Sequence, residues 1–281
     1  MSTGQAVFLA CVILLLGLAL SGCAHRPNPG VAPTPGVAVE NLTWMEAEKI
    51  LTPETVVVIP LGAQSKEHGP HLPLNNDWIM AEYLKSRVIA AEKVVVFPTV
   101  NYHYYPAFVE YPGSVTLHPQ TACDTVVEIA RSISRHGPKR FYVINTGVST
   151  IRPLRVSAQI LEREGILLTF TEWHDHLKPV IDRLSEEEGG SHADEIETSI
   201  MLYIAPHLVD MSEAVKDYNP DRPGPLTRDP KGKGTYSPTG IWGDPTLATR
   251  EKGRAFTEAL VEGILKDIRA LRSAPLPAKQ H

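Results

Sequence analysis

One short stretch, Lys66-Glu67-His68-Gly69-Pro70-His71-Leu72-Pro73-Leu74-Asn75-Asn76-Asp77, gathers imidazoles, carboxylates and an ammonium within a few residues of one another. Imidazole and carboxylate together are the ligands of zinc-like ions and the usual carriers of protons in catalysis. Further side chains of the same kinds recur downstream: His103, Asn145 with Ser149, Glu172 with His174, and His192 with Glu195. A single ion with an open coordination position needs only three protein ligands, and His68, Asp77 and His174 would supply them. Glu172 and His174 are two apart, so on a strand end they point to the same side. Glu67, His103, Asp194 and Glu195 are spare candidates. Each has a plainer reading as well. Asp77 stands where it could cap a helix, Ser191 with Asp194 reads as a capping box, and Glu172-x-His174 could be an exposed strand end.

Two other chemistries compete. Gly147-Val148-Ser149 lies at a strand-to-helix turn like a nucleophile elbow, but Ile151 stands where a small residue is wanted. Thr146, Ser149, Thr150 and Arg152 surround a helix start, and with Lys66 they could hold a carboxylate or phosphate.

These residues need a frame, and the hydrophobic pattern supplies one. Four β-rich runs, residues 55–61, 94–98, 140–145 and 166–171, are nearly continuous in apolar residues, as strands covered on both faces of a parallel sheet must be. Helical faces lie between and after them: Met80-Leu84-Val88, Val126-Ile129-Ile133, Ile151-Leu154-Ala158-Leu161 and Phe256-Leu260-Ile264-Ile268. Strand and helix in alternation predict a doubly wound α/β sheet whose ligands bind beyond the strand carboxyl ends. The polar clusters fall at those ends.

Before the first strand comes a different kind of chain. Val7 to Leu20 is an uninterrupted apolar run, sized for a signal-peptide core and short for a membrane span. Leu20-Ser21-Gly22-Cys23 closes it and resembles the bacterial lipoprotein box, which implies cleavage before Cys23 and acylation of its thiol. The next segment, residues 26–37, holds four Pro and reads as an extended spacer. We therefore expect a signal peptide over 1–22, a lipidated tether over 23–39, a folded domain over 40–272 and a loose tail over 273–281. The expected location is the periplasm-facing cell envelope, with the membrane reached only through the lipid. An uncleaved anchor is the alternative.

Composition excludes several classes. Of 281 residues, 43% are hydrophobic and the formal net charge is only -5, which rules against disorder. With 27 Lys+Arg against 32 Asp+Glu and no basic stripe, a nucleic-acid partner is not expected. Cys11 and Cys23 belong to the leader and its end, so Cys123 has no internal partner.

Residues 62–77 also resemble the creatininase (creatinine amidohydrolase) family motif GSxEQHGPHLPLxTD. Tyr111-Pro112-Gly113-Ser114-Val115-Thr116-Leu117 resembles FPGTISL, Ser191 to Ser199 resembles xHAGExETS, and Gly240 to Pro245 with Glu251-Lys252-Gly253 resembles GVxGDP and EKG. The resemblance implies a three-layer α/β/α amidohydrolase with zinc or manganese, one or two ions, acting on a small molecule and assembled as a homo-oligomer. It assigns His68 and Asp77 to the metal and His192 and Glu195 to catalysis, while Glu67, Glu172 and His174 are the replacement ligands that the residues themselves offer. Lys66, His103, Asn145 and Ser149 are then candidates for substrate contact. Lys66 occupies the position of a ligand Glu, Gly147 that of a ligand His, and Ala107 with Phe108 stand where an acid or His is followed by His. These departures imply an altered centre acting on an amide or cyclic amide C–N bond. The rival is a catalytically degenerate lipoprotein that binds a small anion.

Overall fold

The computed structural model describes residues 35–280 apart from Arg222, so the apolar leader, Cys11 and Cys23 lie outside the described residues. Five strands form one parallel sheet: β1 (Val37–Ala38), β2 (Val56–Leu61), β3 (Val95–Val96), β4 (Arg140–Asn145) and β5 (Leu167–Phe170), in the order β1-β3-β2-β4-β5. Strand β2 is buried along its whole length. Its side chains alternate between two cores. Val56 and Val58, with Tyr142 and Ile144 of β4, pack against helices α2 (Asn76–Ala91), α6 (Glu195–Ile204) and α7 (Arg250–Ser273). Val57, Ile59 and Leu61, with Phe141 and Val143, pack against α3 (Pro119–Ser134) and α4 (Ile151–Arg163). Helices on both faces make the three-layer α/β/α arrangement that the unbroken apolar strands require.

Two shorter helices complete the set of α elements: α1 (Trp44–Ile50), capped reciprocally by Thr43 and Glu46, and α5 (Trp173–Leu184). A separate two-stranded sheet joins β6 (Leu226–Thr227) and β7 (Thr235–Tyr236). From β2 the chain goes by α2 to β3 on one side, then crosses to β4 on the other. The crevice beyond the carboxyl ends of β2 and β4 is thus a topological switch point, where open α/β sheets bind ligands.

Both ends of the domain differ from the expected boundaries. Val37 and Ala38, read as tether, pair with Val95 and Val96, because a parallel edge needs only two extended residues with their N–H and C=O free. In the expected loose tail, the Gln280 N–H donates to the Arg163 carbonyl at 2.9 Å, which holds the segment against the end of α4.

Candidate metal and catalytic site

The loop after β2 runs across the crevice because Gly62 lets it. A Cβ there would stand 2.3 Å from the Asp77 carbonyl and 2.8 Å from the Ala81 methyl, so only glycine lets β2 pass this close to α2. The segment that follows is held from the side by residues 111–114. Ser65 donates to the Gly113 carbonyl and the Glu67 N–H donates to Ser114 Oγ at 2.9 Å. That explains why the Tyr111-Pro112-Gly113-Ser114 pattern accompanies the His68 segment.

Within this frame Lys66, Glu67, His68 and Asp77 are all buried. His68 Nδ1–H donates to the Lys66 carbonyl at 2.9 Å, and Nε2 lies 2.8 Å from Asp77 Oδ1. Lys66 Nζ lies 2.8 Å from Asp77 Oδ2 as an ion pair. Burial alone would raise the Asp77 carboxyl; Lys66 and His68 outweigh it and hold it well below the usual carboxylate range. Burial likewise opposes the Lys66 ammonium, but Asp77, Glu197 and Glu67 outweigh it and its pKa rises. The Phe108 ring covers Nζ at 4.8 Å from its centroid and Tyr105 at 5.6 Å, which keeps water from the charge.

Opposite this group stands His192, brought in by the segment before α6. Its Nε2–H donates to Glu67 Oε1 at 2.8 Å, and Nδ1 faces Glu197 Oε2 at 3.5 Å. His192 and the Gly69 N–H together keep the Glu67 carboxyl below its ordinary value against the effect of burial. Gly240, at φ 88°, passes so close that a Cβ would collide with Glu67 Oε2, so the Gly240-Ile241-Trp242 stretch serves to seat this carboxylate. The ring centroids of His68 and His192 are 5.0 Å apart. Ligand atoms of His68, His192 and Glu197 all lie within 4.8 Å of one another, the one such group of three among the described residues. The space that His192 and Glu197 border, with Lys66, Tyr105 and Gly147, is about 30 Å³, room for about one water or ion.

Some nominated residues lie elsewhere. Glu172 is bound by Arg155 at 2.9 Å and 3.1 Å, and neither it nor His174 is in the His68 group. The strand rule that would align them fails because α5 begins at Trp173, so Glu172 is the residue before a helix and His174 is inside it. Glu195 accepts from Ser185 Oγ and from the N–H groups of Glu186 and Glu187 at 2.7–2.9 Å, and pairs with Lys252. It fastens the 185–187 turn to α7 rather than reaching the pocket. Asp194, not Ser191, caps α6 through the N–H groups of Ile196 and Glu197. His103 Nε2–H donates to the Ala122 carbonyl at 3.1 Å, and burial lowers its pKa to about 4. Asn145 is spent on its own turn, with Gly147 and Thr150, while Ser149 does border the pocket. Asp77 caps no backbone; both its oxygens face His68 and Lys66.

Glu197, Tyr105 and Phe108 join the site without having been nominated. Glu197 sits inside the Glu195-Ile196-Glu197 stretch, and the choice between two acids two apart depends on where α6 starts. Asp194 as cap sets that start, turns Glu195 away from the pocket toward Lys252 and brings Glu197 Oε2 to the Ala193 N–H at 2.6 Å.

Whether this set suits metal follows from its donors. Two ions bridged by Asp77 do not fit, because the Lys66 ammonium holds one Asp77 oxygen and Gly147 has no side chain to offer. One ion does fit in ligand type. At His192, Nε2 is held by Glu67 while Nδ1 faces Glu197, the supporting pattern of a metal-bound histidine; His68 has Nδ1 on the Lys66 carbonyl and Nε2 on Asp77, so it would join an ion by exchanging one of these partners.

Comparison with known proteins agrees with this architecture. The family model described as creatininase, creatinine amidohydrolase, matches residues 40–268. The chain is similar to the creatinine amidohydrolase of Pseudomonas putida, 27% identical over 252 residues, covering 83% of this chain and 96% of that protein. It is 26% identical over 263 residues to the 3-dehydro-scyllo-inosose hydrolase of Thermotoga maritima, covering 83% of each. A mycofactocin precursor peptide peptidase of Mycolicibacterium smegmatis is 28% identical over 215 residues, 74% of this chain and 82% of that one. Among solved structures, a creatininase superposes with TM-score 0.72 at 27% identity, covering 85% of this chain and 98% of the other. A zinc-zinc form of a creatininase variant gives 0.72 and a manganese creatininase 0.71.

Proposed function

Since the chain belongs to the creatininase family, we propose that it hydrolyses an amide-type C–N bond of a small molecule, using one zinc or manganese ion where a two-ion centre no longer fits. Charge carries this reading. Three carboxylates, Asp77, Glu67 and Glu197, are buried around one ammonium, Lys66, so the group falls two positive charges short unless the two imidazoles hold extra protons. One divalent ion supplies those charges.

His68, His192 and Glu197 would hold the ion, and when bound it would polarise a carbonyl and acidify a bound water. Lys66 adds a fixed positive charge beside the developing oxyanion, in surroundings dried by Phe108. Tyr105, whose hydroxyl is buried with no partner among the described residues, offers a donor to the same oxygen. Glu67 and the Lys66 carbonyl fix the two imidazole orientations. Hydrolysis joins the water oxygen to the carbonyl carbon, breaks the C–N bond and moves a proton from the attacking water to the leaving nitrogen. A pocket of about 30 Å³ admits no organic substrate as it stands, so its wall must open.

The purified full chain should contain close to one zinc or manganese ion, and His68→Ala should remove it. Binding displaces protons from the imidazoles, so affinity should fall as pH falls. Amide hydrolysis should stop with chelator and return with metal. A folded protein that takes up no ion when titrated with zinc and manganese at pH 8 sinks the reading. The buried Lys66 favours one alternative, a non-enzymatic receptor for a small anion, but the three carboxylates around it oppose an anionic guest. We further propose that residues 1–22 are removed and that Cys23 carries the lipid of a periplasm-facing lipoprotein, on the strength of Leu20-Ser21-Gly22-Cys23 and the Pro-rich stretch after it.

A further inference from the structure

At the amino-terminal end of the sheet, opposite the metal pocket, the chain encloses a second and larger cavity of about 580 Å³. Its walls come from the beginnings of strands, with Val95 opening β3 and Arg140 opening β4, and from the last turns of α1 and α7. Four basic side chains, Lys49, Lys93, Arg140 and Arg272, line it with a single carboxylate, Glu54. Arg272 is shared, since Nη2 donates to Glu92 Oε2 at 2.9 Å. Arg140 is pinned by the bond from its Nη2 to the Ala274 carbonyl at 2.9 Å, while its Nε is buried and has no acceptor among the described residues. A buried donor left without an acceptor is unfavourable, and a guest that accepts from it relieves that cost.

We infer that this basal cavity binds a phosphate ester, its phosphate against Arg140 with Lys49 and Lys93 at the rim and its organic part against the apolar wall of Val37, Ile50 and Val95. The pinned guanidinium keeps Nε–H as a buried donor without an acceptor, and the surplus of basic groups favours a doubly charged guest over a carboxylate. The volume lies within the ordinary range for small-molecule sites, about 300–1,000 Å³, and exceeds the needs of a bare phosphate. A glycerophospholipid headgroup and a soluble phosphate ester present the same chemistry. The inference does not depend on hydrolysis or on metal.

The test titrates the purified full chain with glycerol phosphate, inorganic phosphate and dihexanoyl phosphatidylglycerol below its micelle concentration, reading melting temperature and heat. Chloride at equal ionic strength and dihexanoyl phosphatidylcholine are the controls. Glycerol phosphate should raise Tm saturably in the wild type. The double variant Lys49→Glu/Lys93→Glu, at exposed positions that leave the fold intact, should bind at least about tenfold more weakly. Lys66→Met, read by heat of binding because the variant is itself destabilised, should bind glycerol phosphate as the wild type does, which separates this cavity from the metal pocket. Tighter binding of the short-chain phosphatidylglycerol than of glycerol phosphate identifies a lipid headgroup; the reverse identifies a soluble ester. A rise no greater than chloride gives, or one unchanged in the double variant, overturns the inference.

Discussion

Lys66 forms a buried ion pair with Asp77, and its effect on stability is directly measurable. Lys66→Met removes the cation beside a fully buried carboxylate, a change that costs about 3–5 kcal/mol when one partner of a buried pair is lost. Urea unfolding at pH 7 with metal chelated should show that loss; a difference below about 1 kcal/mol would mean that the pair contributes little. The acid limb carries the same information. Asp77 is held below its unfolded value, so its contribution is complete above the ordinary carboxylate range and disappears as pH falls through the folded value. Without Lys66 that acid loss should shrink. Sequence reading placed His68, His192, Glu67, Asp77 and Lys66 in one group because each lies in a compact motif whose loop geometry is set within a few residues. It missed Tyr105 and Phe108, which reach the site through a short 3-10 turn between Pro106 and Phe108 that has no periodic signature.

Elements were legible to the degree that burial imposed a period on them. Strand β2, wholly apolar, strand β4, apolar between Arg140 and Asn145, and the amphipathic α3, α4 and α7 stand within a few residues of where the pattern puts them. Strand β1 has only two residues and no pattern to show. Helix α5 was hidden by Pro179 in its interior and by a start that looked like the end of β5. The approach of α6 to α7 shows why Glu251-Lys252-Gly253 matters structurally: a Cβ on Gly253 would overlap the Ser199 carbonyl, while Lys252 anchors Glu195. At the start of α6, burial first and then the neighbouring Glu195 charge raise Glu187 to about 7, and its carboxyl bonds that of the capping Asp194. The folded state thus keeps a proton that the unfolded chain releases from about pH 4.5 upward, so this group withdraws stability progressively between about pH 4.5 and 7. Urea midpoints across that window should fall more steeply for the wild type than for Glu187→Gln. Parallel slopes would show that Glu187 does not titrate there.

For the whole molecule, the proposed attachment at Cys23 makes a test of location. Wild type should partition with membranes as a processed protein, and Cys23→Ala should leave the membrane fraction or keep its leader; identical behaviour of the two refutes acylation. Three layers around a parallel sheet were readable because apolar strands covered on both faces leave few alternatives. Which strand borders which was not readable, since every pairing joins residues distant in sequence. That topology has a mechanical side. Tension applied through the amino-terminal end of the described chain meets β1 first, at the bonds from Gly36 N–H to the Ile89 carbonyl and from Val37 N–H to the Val94 carbonyl. Two residues on an edge yield at low load, and peeling them spares β2, α2 and the metal pocket while stripping Pro35 and Val37 from the wall of the basal cavity. Edge strand β1 is therefore a fuse: a pull on the proposed tether would open the basal cavity, and empty the phosphate site proposed there, long before it disturbed the His68 pocket at the other end of the sheet.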